Sequence, residues 1–86
     1  MGGYKEYSKG DARRYFTVLV AISDLGGDAT LHYISQRVGC TRAEAQRAIE
    51  TAAEQFGMHI EKAGPVYRIV GWGALDKREV RKLVED

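Results

Sequence analysis

The chain has 86 residues, of which 44% are apolar and 29% charged, a composition that fits one small globular domain with a single modest core and no second domain. Thirteen Lys and Arg against twelve Asp and Glu give a formal net charge of +1, which excludes a protein that grips polyanions by bulk charge, so any contact with nucleic acid has to be local. The single cysteine, Cys40, excludes an internal disulfide, and one Pro with ten scattered Gly argues against low-complexity sequence or an internal repeat.

No targeting signal emerges. Arg13-Arg14 followed by Tyr15 to Ile22 imitates the charged and apolar parts of a secretory leader, but Asp24 interrupts the run and no small-x-small cleavage site follows. The run is also well short of the roughly 20 residues that span a bilayer. A cytoplasmic protein is expected, located at the nucleoid if it binds DNA.

Met1 to Tyr7 shows no periodicity and reads as a mobile arm. A first helix is predicted from about Lys9 to Leu25, capped by Ser8 or Asp11 and closed at Gly26. It carries a surplus of apolar surface, with Val18, Ile22 and Leu25 roughly opposite Phe16 and Val20. The second stripe has to pack on a further element of the same chain or on a second copy.

After the Gly26-Gly27-Asp28 turn, Ala29-Thr30-Leu31 suits a very short strand, and Thr30 also suits the cap of a second helix that runs through Val38 on a Leu31, Ile34 and Val38 stripe. Gly39 ends that helix and makes a tight turn with Cys40. Thr41 then opens a third helix that reaches Phe56, with Glu44 placed to complete a capping box. Ala45, Ile49, Ala52 and Phe56 fall on its core side, while Ala43, Gln46, Arg47, Glu50 and Glu54 fall on the other. Two helices joined by a short turn make a helix-turn-helix unit.

From Met58 the period becomes two. Met58 and Ile60 alternate with His59 and Glu61, and Tyr67 and Ile69 with Arg68 and Val70, which predicts two strands. With Gly64-Pro65 as a two-residue turn of undecided type, Ile60 opposes Ile69, Lys62 opposes Tyr67 and Glu61 opposes Arg68, so one register yields an apolar face and an ion pair. Beyond Gly71-Trp72-Gly73, Asp76 and Glu79 suggest a second capping box, stapled by Leu75 and Val80, for a last helix from Lys77 to about Glu85. Its Val80, Leu83 and Val84 stripe is too narrow to hold so short a helix unaided, so it has to dock.

Helix, short strand, helix, helix, strand, turn, strand resembles the winged helix-turn-helix family of DNA-binding domains over about Asp11 to Val70. The likeness rests on Gly27-Asp28-Ala29-Thr30-Leu31, Ile34, Val38-Gly39, Thr41 through Ala45, Arg47, Ile49 and Gly64 through Ile69. The implied fold class is α+β: a three-helix core, a two-stranded β-hairpin wing and an extra C-terminal helix. The implied activity is sequence-specific binding of double-stranded DNA by a small transcription regulator of bacterial type, with the third helix in the major groove.

Carried over to this chain, the resemblance places Thr41, Arg42, Gln46 and Arg47 nearest the bases. Arg42 and Arg47 suit guanine or phosphate, Gln46 suits adenine, and Ala43 suits a thymine methyl. His32, Tyr33, Gln36 and Arg37 on the second helix face the phosphate backbone, and Lys62 and Arg68 are the cations of the wing. Glu50 and Glu54 restrict docking to the N-terminal end of the third helix. A homodimer through the first and last helices is expected to read two half-sites roughly 34 Å apart.

Simpler readings stand beside these. Arg47 is within helical reach of Glu50 and Glu54, so it also suits an ordinary solvated face. Lys77, Arg78, Arg81 and Lys82 are balanced by Asp76, Glu79, Glu85 and Asp86 and read as solvated surface. Cys40, His32 and His59 match no metal spacing, although the position of Cys40 at a helix start would suit a redox-sensing thiolate. Trp72 and Tyr67 read as core more readily than as a stacking platform for bases. No phosphate loop, carboxylate pair or nucleophile elbow is present, so neither an enzyme nor a cofactor is expected. The alternative to DNA binding is a winged-helix module that binds protein, which the near-neutral charge also fits.

Overall fold

The computed structural model describes residues 3–85. Four helices and one hairpin follow in order: α1 (Arg13–Leu25), α2 (Leu31–Val38), α3 (Arg42–Phe56), β1 (His59–Ala63), β2 (Val66–Gly71) and α4 (Lys77–Val84), with short 3-10 turns at Tyr4–Glu6 and Gly26–Asp28. The fold is α+β, helices with an antiparallel hairpin.

The hub is α1. Every residue from Phe16 to Ile22 is buried, because the helix is covered on both sides. One core joins Val18, Ala21 and Ile22 to Ile34 and Val38 of α2, Ala45, Ala48 and Ile49 of α3, and Tyr67 of the hairpin. The other joins Phe16, Leu19 and Val20 to Met58 and to Val80 and Val84 of α4. The Val18, Ile22 and Leu25 stripe thus packs on α2, α3 and the hairpin, the opposite Phe16 and Val20 stripe is covered by the chain's own last helix, and the homodimer expected from a surplus stripe loses that support. Burying each valine contributes about 1.5–2 kcal/mol, enough to hold a helix of only 8 residues that would not form alone.

The α1 helix starts later than the predicted Lys9. Gly10 disfavours helix, the Ser8 backbone carbonyl accepts the Asp11 amide at 2.9 Å, and Asp11 turns its carboxylate onto the Arg13 amide at 2.9 Å. Residues 3–7 are not a free arm either. Tyr4 is only 7% exposed and belongs to the first core, and Arg14 Nε donates to the Tyr7 carbonyl at 2.8 Å. Met1 and Gly2 lie outside the described residues.

The short strand at Ala29–Leu31 does not form, since Thr30 caps α2 and Leu31 is already helical. A trace of it survives in one bond, the Tyr67 amide donating to the Ala29 carbonyl at 2.8 Å. The hairpin keeps the predicted register, with Ile60 against Ile69, Glu61 against Arg68 and Lys62 against Tyr67, and a bulge near His59. Gly64 has φ +60° and Pro65 is fixed at negative φ by its ring, a combination that makes the turn type II′. At α4, Asp76 accepts from the Arg78 and Glu79 amides, but Glu79 pairs with Lys82 at 3.4 Å instead of reaching back, so the expected second capping box is half made.

Candidate nucleic-acid interface

The helix-turn-helix unit is set by three local devices. Thr30 Oγ1 accepts the Tyr33 amide at 3.3 Å to start α2, and Gly39 at φ 74° ends it in the left-handed conformation that glycine adopts without strain. Thr41 and Glu44 then complete a full capping box on α3, each side chain taking the other's amide at 3.0 Å. The Thr41 amide holds the Glu44 carboxyl below its ordinary value, so it stays ionised at neutral pH. Arg42, Ala43, Gln46 and Arg47 are exposed on the first two turns, with Glu50 and Glu54 further along.

A concavity of about 250 Å³ lies where α2, α3 and the hairpin meet, lined by Thr30, Leu31, His32, Arg42, Lys62 and Pro65. Three of the predicted site residues thus come together from three elements. Arg42 Nη2 lies 2.8 Å from His32 Nδ1, and because a guanidinium only donates, the imidazole nitrogen is the acceptor. This bond orients the Arg42 fork while leaving its other N–H groups free. Lys62 projects over the Tyr67 ring, 5.4 Å from its centroid.

Other predicted residues are placed elsewhere. Arg68 lies on the opposite face of the hairpin, 3.4 Å from Glu61, and lines a separate concavity of about 420 Å³ with Trp72 and Lys77. Arg37 is 3.5 Å from Asp24, whose carboxylate also holds Arg81 at 2.8 Å, so this expected phosphate contact is partly neutralised by a network joining α1, α2 and α4. Tyr33 is 49% exposed and meets the His32 ring edge-on at 5.1 Å.

Arg47 makes no ion pair with Glu50 or Glu54. It sits five positions from Arg42, about 140° round the helix, and borders Tyr4 and Lys9 of the N-terminal segment and Arg14 of α1. Sequence reading missed Lys9 and Arg14 as neighbours of α3. The signal lay in Tyr4 and Tyr7, whose rings sit under Arg14 and Arg13. Burial, with Glu44 nearby, pushes the Cys40 thiol up, the reverse of the lowering expected at a helix start. Cys40 is therefore a thiol and not a thiolate at neutral pH.

Among the described residues no three His, Cys, Asp or Glu side chains group as metal ligands, and no helix is long and apolar enough to cross a membrane. Comparison with protein-family models, curated proteins and solved structures found no match.

Proposed function

We propose that the protein binds double-stranded DNA as a winged helix-turn-helix module and that contact is made by the N-terminal tip of α3. The observation that carries this reading is the convergence of Arg42, His32 and Lys62 from α3, α2 and the hairpin on one concave surface beside an open helix start. Arg42, held by His32, presents its free N–H groups to a guanine edge, and Gln46 one turn on is placed for adenine. Lys62 is the wing cation and His32 the contact of α2. Thr41 spends its hydroxyl oxygen on the Glu44 amide, which makes it a brace for the tip.

Glu50 and Glu54, exposed further along α3, favour a second reading: a surface for a basic protein partner. Titrating mixed-sequence duplex with increasing salt separates the two. A DNA-binding tip loses affinity steeply between low and physiological salt, and Arg42→Ala lowers it further. A folded protein that binds no duplex even at low salt overturns the DNA reading.

A further inference from the structure

The flank of α3 turned away from Arg42 carries a second basic concavity, of about 270 Å³, between the N-terminal segment and α3. Lys9 reaches it from the segment before α1, Arg14 from the first turn of α1 and Arg47 from the second turn of α3. Arg14 is held in place: its Nε donates to the Tyr7 carbonyl at 2.8 Å and its guanidinium lies 4.7 Å from the centroid of the Tyr4 ring. Its terminal nitrogens stay free for a ligand. Among the described residues none of these three cations is within ion-pair distance of a carboxylate. Glu44 is the acid that lines the site, and its carboxylate is turned to the Thr41 amide. Three positive charges around one engaged carboxylate, with the phenols of Tyr4 and Tyr15 alongside, suit a phosphate oxyanion.

We infer that Lys9, Arg14 and Arg47 form a phosphate-binding site for the sugar–phosphate backbone of duplex DNA, an assignment that rests on the DNA reading above. A major groove about 12 Å wide is walled by phosphates on both sides, and a helix with its side chains is about as wide, so a tip docked there meets both walls. His32 and Lys62 serve one wall. The site on the opposite flank of α3 serves the other, and the N-terminal segment becomes part of the interface.

The test compares wild type, Lys9→Ala and Arg47→Ala on one fixed duplex across a range of salt, with Lys82→Ala on α4 as the control. Melting curves confirm that each variant is folded. Each of Lys9→Ala and Arg47→Ala is expected to weaken binding roughly tenfold at low salt and to reduce the slope of log affinity against log salt by about one. Lys82→Ala leaves both unchanged. Wild-type binding with an unaltered slope in both variants overturns this site and leaves the DNA reading standing. A second arm titrates inorganic phosphate and follows the side-chain resonances of Lys9 and Arg47. Phosphate-induced shifts in a protein that binds no duplex assign the site to a free anion and overturn the DNA assignment.

Discussion

The two ends of α3 are finished in opposite ways. At the N-terminal end the capping box is self-contained, Thr41 and Glu44 satisfying each other's amides, so the end stands open to solvent with Arg42, Ala43 and Gln46 exposed around it. The C-terminal end is shut by the rest of the chain. Gly57 closes the helix at φ 64°, and the turn that follows β2 crosses over it, with the Ala74 amide donating to the Phe56 carbonyl at 2.8 Å. Gly73 lies so close there that a Cβ would collide with the Phe56 and Gly57 carbonyl oxygens. A helix anchored at one end and capped at the other by its own side chains can offer a rigid free end to a partner, with the Arg42 and Ala43 amides of its first turn still open to solvent. The acidic residues Glu50 and Glu54 lie toward the anchored end.

The sharpest way to break this comparison is at Gly73. Its φ of +60° and its contact with backbone both forbid a side chain, so Gly73→Ala should cost about 3 kcal/mol or more and lower the melting temperature by roughly 15 °C. A melting temperature within a few degrees of wild type would show that the end is not anchored as described. Val80→Ala loosens α4, which shares the second core with Met58 just beyond α3. It should cost about 2 kcal/mol, seen as a lower urea midpoint with duplex affinity unchanged at a temperature where the variant is folded.

At the open end the effects are smaller. Thr41→Ala removes the cap and should cost about 1 kcal/mol, while Thr41→Ser should keep most of it. The capping box also predicts a pH dependence. The folded-state value of Glu44 lies below its ordinary one, so its contribution is fully present above the ordinary carboxylate value and is lost as pH falls through the folded value. Asp11, lowered by its bonds to Arg13, adds in the same direction. Melting temperatures from pH 6 down to about pH 2 should therefore fall less for Glu44→Ala than for wild type. Parallel curves would remove the capping carboxylate from the account.

The open end was legible in the sequence because its determinants are local. Thr41 and Glu44 are three residues apart, Gly39 marks the turn, and the alternation about Gly64-Pro65 fixes the hairpin register. What could not be read depends on tertiary contact. Tyr4 lies in a segment without periodicity and is buried only because α1, α2 and α3 make a place for it. That burial carries Lys9 and Arg14 to the flank of α3. The Glu61 and Arg68 pair was legible from the register, whereas Arg37 looked like a free cation and the fold gives it Asp24. Helix α1 looked like one element among several and proved to be the hub, because its Phe16 and Val20 stripe meets α4 from the far end of the chain.

The central claim, that the tip of α3 reads DNA, is tested most directly by selecting bound sequences from a random duplex pool with wild type and with Arg42→Ala. Wild type is expected to enrich a short motif containing a guanine that Arg42→Ala no longer selects, with the other positions of the motif kept. Enrichment of the same motif by both proteins, or of no motif by a folded wild type, would contradict it.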